Sequence, residues 1–552
     1  MSHDHELEAG VPMSTTTKEV PGNVRLIGGE MLLWSDAAGM GGVTDWRGAA
    51  LELIRRLVPE GGRVLLVGPH PQALVDDVVA RAGSAAVLLR SYPDACALGV
   101  RHQDLTVFCG RLEVLDADEP YDLVLAMDGL LRTHSAEAPA AAWNESLEAL
   151  ADLVAPGGRL ILGVRNDLGV DRFIEARPAD REGADDQWAP HGFDPSYPGG
   201  PEALDQGLEA SGLSVERCYA AYPDRQAPRS LLSREALGVD LPEALTFPLS
   251  AREGDRMLVA DPLRLTRLVF RHRLGEELAP LWLAVATRLP HAADEARPVR
   301  LPLGLIEEGP ALYELTATGT RRLPGGQERP IPAGRVVEEI LIEACAREDV
   351  RTVRELLAEL AAWLESGGDP TAATDSLVYD GERFTSVNPH GGTGADLEPR
   401  VVLCRILWRF AVRLLAAGHH HPWPWPLQAD QLTLTLCGMA GSPCESGDLD
   451  LARKLDAELG RPAELAERAP AYRDLLGARD RLADQLTAAL ARISRLETKL
   501  SYRERELVRA KAKLRRTQRK ATAYRRTLGY RLSRRLARPR KVARRVIRLL
   551  SG

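Results

Sequence analysis

The residues that could do chemistry lie just after short apolar runs. Gly68-Pro69-His70-Pro71-Gln72 follows Arg63-Val64-Leu65-Leu66-Val67, an apolar segment bounded by Gly61-Gly62 and by Gly68-Pro69. Such a segment suits a strand covered on both faces, and ligands of open α/β sheets bind at the carboxyl ends of these strands. His134 follows a second run, Tyr121 to Met127, and an imidazole there can serve as a general base near neutral pH. The other reading is a plain loop histidine. Asn166 follows a third run, Arg159 to Val164, and can face a substrate or organise the turn Asn166-Asp167-Leu168-Gly169. His419-His420-His421 with Cys437 and Cys444 invites a metal, but the spacing matches no common zinc frame. No metal is expected, and docking or packing beside Pro422-Trp423-Pro424-Trp425 is the preferred reading. The seven cysteines (Cys96, Cys109, Cys218, Cys345, Cys404, Cys437, Cys444) include no CxxC pair, which fits a reducing cytoplasm.

These positions need elements to hold them. Trp46 to Leu57 has a helical apolar face of Leu51, Leu53, Ile54 and Leu57, stopped by Pro59-Glu60-Gly61-Gly62. Gln72 to Ala82 reads as a helix, Ala85 to Leu89 and Leu105 to Cys109 as strands, and Ala138 to Leu153 as a helix broken by Pro156-Gly157-Gly158. Strands alternating with helices over this length predict an α/β fold with a doubly wound, mostly parallel sheet. Leu213 to Ala220 is a further strand, and Ser230 to Leu232 is placed at the closing edge.

Tyr121-Asp122-Leu123-Val124, followed by a helix and then Leu153-Val154-Ala155-Pro156-Gly157-Gly158-Arg159-Leu160, resembles the class I S-adenosylmethionine-dependent methyltransferases over roughly residues 46 to 235. The resemblance implies a Rossmann-like methyltransferase sheet and S-adenosyl-L-methionine as cofactor. It places cofactor contacts at Gly68, His70, Gln72, Arg90, Gly110, Arg111, Leu112, Asp128 and Gly129, with the transferred methyl group near Asp128, Gly129 and Asn166. His134 and Asn166 are the catalytic candidates. The chain departs from the family pattern at five points. Leu66 stands at an acidic position, His70 and Gln72 replace glycines, Arg90 stands where a ribose-binding carboxylate is usual, and Arg111 replaces an acidic residue. Two readings follow: methyl transfer that relies on positioning, or a catalytically silent scaffold that gathers glycan-assembly enzymes. Tyr222-Pro223-Asp224-Arg225-Gln226-Ala227-Pro228 resembles, more loosely, a segment of methyltransferase domains fused to polysaccharide-assembly proteins, which implies a glycan or lipid-linked glycan acceptor.

The remaining chain reads as support. Residues 176 to 205, with Trp188, His191, Phe193 and Tyr197, suit a lid or a surface loop. Leu263 to Phe270, Leu281 to Thr287 and Leu312 to Thr316 are read as strands of a small α+β part. Val336 to Arg347, Val350 to Leu364 and Val401 to Ala416 are helices, and Ser376 to Phe384 is a hairpin turning at Asp380-Gly381. Leu475, Leu482, Leu486, Ala489, Ile493, Leu496 and Leu500 form an a/d seam, which predicts a dimeric coiled coil. No Asp or Glu follows Glu506, while 18 Lys and Arg lie between Arg509 and Arg548; the net −7 therefore leaves −25 for the rest of the chain. Leu528, Leu532 and Leu536, then Val542, Val546 and Leu549 or Leu550, run beside these basic residues, so the tail reads as an amphipathic helix for an anionic membrane. Nucleic acid is the competing partner, disfavoured by the acidic body. With no apolar run long enough to span a bilayer and no signal-peptide pattern at the start, the expectation is a cytoplasmic protein, peripheral on the inner face of the plasma membrane. The expected parts are a flexible leader (1–44), a methyltransferase-like domain (45–235), a linker or small α+β region (236–335), a helical accessory domain (336–450), a coiled coil (465–520) and a basic amphipathic tail (521–552).

Overall fold

The computed structural model describes residues 20–28, 31–36, 43–116, 119–134, 141–174, 194–238, 243–250, 259–289, 299–308, 311–387, 397–416, 419–424, 427–459 and 472–535. The first half of the sheet is built in chain order from β1 (Val24–Gly28), α1 (Ala49–Leu57), β2 (Arg63–Val67), α2 (Gln72–Arg81), β3 (Ser84–Leu89), α3 (Tyr92–Arg101) and β4 (Thr106–Gly110). β5 (Tyr121–Ala126), α4 (Trp143–Asp152) and β6 (Val154–Arg165) continue it. Then come α5 (Val170–Ile174), α6 (Pro201–Ala210), β7 (Leu213–Tyr222), β8 (Ser230–Ser233), α7 (Arg234–Leu237), α8 (Glu243–Ser250) and α9 (Pro262–Arg271). β9 (Leu281–Arg288), β10 (Gly304–Glu308), β11 (Ala311–Leu315), β12 (Thr320–Leu323) and β13 (Glu328–Arg329) complete a sheet of 13 strands.

The sheet order is β1-β4-β3-β2-β5-β6-β9-β7-β8-β10-β11-β12-β13. Strands β1 to β6 pair in parallel, and every pairing from β6/β9 onward is antiparallel. The buried run predicted at the first glycine turn is the centre of the parallel part: Val64 to Val67 are all 0% exposed. Its side chains alternate between two cores. Leu65 and Val67 face the one that contains Trp143, Leu147 and Leu204, while Val64 and Leu66 face the one that contains Leu53, Ile54 and Val78. Helices therefore cover both faces, which is why the strand lacks a polar side. The chain winds one way from β2 to β3 and β4 and the other way to β5 and β6. The switch point lies between β2 and β5, where a crevice is expected at the carboxyl ends.

Several expectations are corrected here. The sheet does not end near residue 235: β9 inserts between β6 and β7, pairing Ile161 with Val285 and Cys218 with Ala284, so residues 281–329 belong to the same layer. Leu263 to Phe270 is not a strand but lies in helix α9. The Asp261 carboxylate accepts from the Leu263 and Arg264 amides, Pro262 sits in the first turn, and the buried residues Pro262, Thr266 and Val269 recur at helical spacing. Pro156-Gly157-Gly158 lies within β6, where the register against β5 shifts, rather than before it. The leader is not loose throughout. β1 extends the sheet beside β4, and Leu32 bridges to Ser91 past the end of β3.

Past the sheet come β14 (Arg335–Val336), whose Val336 packs with Ala244, Val378 and Val387, and then α10 (Val337–Ala346), α11 (Val350–Glu365), β15 (Leu377–Tyr379), β16 (Phe384–Ser386), α12 (Pro399–Ala416), α13 (Ala429–Met439) and α14 (Ser446–Glu458), which share a third core around Leu357, Leu407 and Leu436. The β15–β16 turn is centred one residue later than expected. Tyr379 pairs with Phe384 and the Asp380 amide donates to the Arg383 carbonyl, which leaves Gly381, with φ of 105°, and Glu382 at the tip. The final element is α15 (Tyr472–Arg526), a single 55-residue helix on which Leu482, Leu486, Ile493, Leu496 and Leu500 are half or more exposed. Residues 528–535 are helical again. Leu536, Val542, Val546, Leu549 and Leu550 lie outside the described residues. No helix among the described residues is long and apolar enough to cross a membrane.

Candidate functional site

The carboxyl ends of β2, β3, β4, β5 and β6 present Gly68, Arg90, Arg111, Asp128 and Arg165. Gly68 turns with φ of 85°, and a Cβ on it would meet nothing within 4 Å. Its amide donates to the Leu88 carbonyl at 3.0 Å. A left-handed residue with open space above it is a place where backbone can approach a ligand. The His70 ring folds back over this turn, with Nδ1 3.0 Å from the Gly68 carbonyl. Its Nε2 is buried and has no hydrogen-bond partner. Burial pushes the His70 pKa down, although the Gly68 carbonyl and the nearby Asp128 oppose the shift. The imidazole is therefore neutral at pH 7.

Asp128 is the node of the site. Its carboxylate is 1% exposed. Oδ1 accepts from the Thr44 hydroxyl at 2.6 Å and from Arg165 at 3.0 Å. Oδ2 is buried with no hydrogen-bond partner and has Arg132 at 3.6 Å. Gly129 follows with φ of 76°, and a Cβ there would sit 3.0 Å from the Gly163 carbonyl, so the chain turns tightly against β6. Arg111 also keeps a buried Nε without a partner. Buried polar atoms are nearly always paired, and each exception costs about 1–3 kcal/mol. Three of them therefore stand at the ends of three central parallel strands.

A strap from the leader crosses this edge. The Leu32 amide donates to the Arg90 carbonyl, the Leu32 carbonyl accepts from the Tyr92 amide, and the Ser91 hydroxyl donates to Trp34. Asp36 then grips the Arg90 guanidinium in two bonds, at 2.7 and 3.0 Å, while Arg90 also donates to the His134 carbonyl at 3.0 Å. The strap thus brings a carboxylate to the end of β3, where the sequence itself offers only Arg90. Asp36 and Thr44 were not identified from sequence, where neither belongs to a recognised motif. On the far side, Asp45 donates its amide to Gln226 and pairs with Arg229 at 2.7 Å. Burial pulls the Asp45 carboxyl up, but bonds from Arg47 and Arg229 outweigh it and hold it below the usual range. Arg225 pairs with the buried Asp171 at 2.7 Å, so the Tyr222–Pro228 segment packs against the same edge.

Other candidates fall elsewhere. Both amide hydrogens of Asn166 are taken by carbonyls, Glu277 at 2.7 Å and Ala279 at 2.8 Å, and its oxygen accepts from Leu168. It organises a turn and is not placed for catalysis. His134 is buried, with Nδ1 2.6 Å from Glu113 and Nε2 3.3 Å from Ser146. Ser146 is 0% exposed on α4, so the three groups form an interior network rather than a base facing substrate. Gln72 begins α2 and, with its amide oxygen turned toward it, accepts from Arg101 at the end of α3. Leu112 is core, 1% exposed, with its amide on the Thr133 carbonyl. Gly110 sits against β1, where a Cβ would meet Ile27 at 2.6 Å and the Gly28 carbonyl at 2.7 Å. A cavity of about 430 Å³ lined by Leu112, Pro120, Leu153 and Arg288 lies beside the amino ends of β5 and β6, away from this edge. Tyr197 donates its hydroxyl to the Arg165 carbonyl at 2.6 Å; Trp188, His191 and Phe193 lie outside the described residues. His419 faces Asp261 at 3.5 Å and His420 faces Glu348 at 3.0 Å, so neither joins the cysteines.

The sheet is an α/β layer with a parallel first half and an antiparallel second half. No family model matches the chain, and no curated protein matches it. Among solved structures it is similar to the N-methyltransferase NodS from Bradyrhizobium japonicum WM9 in complex with S-adenosyl-L-homocysteine, at 15% identity over 32% of this chain and 79% of that one, with a TM-score of 0.23. It is similar also to the [4+2]-cyclase SpnF, at 16% identity over 48% and 88%, TM-score 0.25. An S-adenosylmethionine-dependent methyltransferase from Mesorhizobium loti matches at 13% identity over 43% and 97%, TM-score 0.25. At these levels the likenesses carry nothing about chemistry, which rests on the residues.

Proposed function

We propose that the chain is an S-adenosylmethionine-dependent methyltransferase whose cofactor lies along the carboxyl edge, under the strap. The observation that carries this reading is the set of buried atoms without a hydrogen bond, His70 Nε2, Arg111 Nε and Asp128 Oδ2, at strand ends beside the open turn at Gly68. The donor set fits the cofactor. Asp128 Oδ2 suits an ammonium, neutral His70, its Nδ1 proton directed to the Gly68 carbonyl, offers Nε2 as an acceptor to a hydroxyl, Arg111 Nε offers a donor, and the Asp36–Arg90 pair stands at the ribose position implied by the resemblance. When bound, the cofactor supplies an electrophilic methyl group. The chain's part is to align it and to exclude water, which the Thr44–Asp128 bond and the strap accomplish.

The acceptor in this reading is a hydroxyl of a cell-surface glycan or of its lipid-linked precursor. Support comes from the Tyr222–Pro228 resemblance and from the basic run between Arg509 and Arg548, which suits an anionic membrane surface. The exposed leucine stripe on α15 supports a homodimeric coiled coil.

A second reading, a silent scaffold, is favoured by one observation: Asp128 already has Thr44, Arg165 and Arg132 around it, and Arg90 is matched by Asp36. Titration calorimetry of the full chain with S-adenosylhomocysteine separates the two. Saturable heat with a rise in unfolding temperature is expected; no heat at millimolar ligand leaves only the scaffold.

A further inference from the structure

Three cysteines far apart in sequence meet in the helical unit. Cys404 on α12 and Cys437 on α13 are buried, and Cys444, in the connection to α14, is half-buried. Their Sγ atoms all lie within 4.8 Å of one another, and none is in a disulfide. A metal–sulfur bond is about 2.3 Å, so sulfurs at the corners of a tetrahedral site stand about 3.8 Å apart. The three thiols need close by only about 1 Å to reach that spacing, a shift within reach of side-chain rotation.

We propose that Cys404, Cys437 and Cys444 form a three-thiolate site for Zn²⁺, with a fourth position held by an exchangeable solvent ligand. Sulfur donors select soft or borderline cations over Mg²⁺ and Ca²⁺. The nearest carboxylate, Asp448, is not a fourth ligand: its Oδ2 accepts from the Glu445 amide at 2.8 Å and its Oδ1 pairs with Arg400 at 3.2 Å. The fourth position therefore falls on the partly open side, at Cys444. That side carries the Ser442 carbonyl 3.5 Å and the Arg400 carbonyl 3.8 Å from the sulfur. Binding forms three zinc–sulfur bonds and releases the thiol protons to solvent, so uptake weakens in acid. The ion would pin α12, α13 and the start of α14 at one point. Sequence spacing could not show this, because Cys404 is 33 residues before Cys437 and no CxxC pair is present.

The test uses the full-length protein, reduced and stripped with a chelator, then dialysed against Zn²⁺ or Co²⁺. One zinc per chain by elemental analysis is expected, together with a thiolate-to-cobalt charge-transfer band. Zn²⁺ should raise the unfolding temperature of the wild type. Cys444→Ser should lose at least tenfold in zinc affinity, while Cys96→Ser, which replaces a half-buried cysteine outside the cluster, should keep it. Alkylation read by mass spectrometry gives a second measure that needs no variant: Zn²⁺ should protect Cys444, the half-buried member of the cluster, and leave Cys96 reactive. Lack of zinc uptake by the wild type, equal loss in Cys96→Ser, or alkylation unchanged by Zn²⁺ would overturn the proposal, as would a disulfide between two of the three in place of metal uptake.

Discussion

Two regions bury arginine and aspartate in different settings. In the helical unit, Arg405 and Arg409 are 0% exposed and share Asp456: Arg409 reaches both carboxylate oxygens at 2.9 Å and Arg405 reaches one at 3.3 Å. Arg405 also donates to the carbonyls of Pro370 and Ala372, and Arg413, one turn further on, pairs with Asp375 and Glu338. This cluster ties α12 to α14 and to the loop before β15. At the carboxyl edge of the sheet, by contrast, Asp128, His70 and Arg111 stand at strand ends beside Gly68, where an added Cβ would meet nothing within 4 Å. The same residue types thus serve as an interior clamp between helices, and as groups set at strand ends beside the open turn at Gly68.

The clamp should give the largest effect. Asp456→Ala leaves two buried guanidiniums without their shared counter-ion and should cost about 3–5 kcal/mol in denaturant unfolding. A cost near zero would remove the contrast. At the edge, Asp128→Asn should lower S-adenosylhomocysteine affinity about tenfold, or about 1.4 kcal/mol, by calorimetry. Unchanged affinity would make that site another clamp. The third prediction concerns Glu339 on α10, which faces Arg267 of α9. Burial raises its pKa to about 7, against a weaker opposing pull from Arg267. A carboxyl whose folded value lies above its unfolded value stabilises the fold at low pH and loses that contribution as pH rises. Stability should fall between about pH 4.5 and pH 7, and Glu339→Gln should flatten that fall in unfolding titrations. The smallest effect belongs to the exposed pair Arg351–Glu355 on α11, 87% and 57% exposed, where Arg351→Ala should leave the unfolding midpoint unchanged.

The parallel half of the sheet was legible because fully buried strands are apolar throughout and end in Gly or Pro, as at Val64–Gly68. The antiparallel half was harder to read. β9, Leu-Trp-Leu-Ala-Val-Ala-Thr-Arg, was recognised as a strand, but no local pattern says that its place is between β6 and β7. α9 was misread because Leu263, Leu265 and Leu268 alternate with arginines and hide the Asp261-Pro262 cap. At the site, Gly68, His70, Arg90, Arg111, Asp128 and Gly129 stand at strand ends as expected, since strand ends follow from strand positions. Asp36 and Thr44 were missed because they reach the edge through tertiary bonds over 54 and 84 residues. The arginines of α12 were missed because they sit inside an apolar helix, where charge is rarely fully buried.

The insertion of β9 also bears on how the polypeptide is made. β6 ends at Arg165, yet its antiparallel neighbour ends at Arg288, roughly 120 residues later. At typical elongation rates that interval is about ten seconds, during which the nascent chain carries Leu160, Ile161 and Leu162 on an uncovered border. A truncated product ending near residue 235 would keep that sticky margin permanently, so expression of such a piece should yield aggregate rather than enzyme.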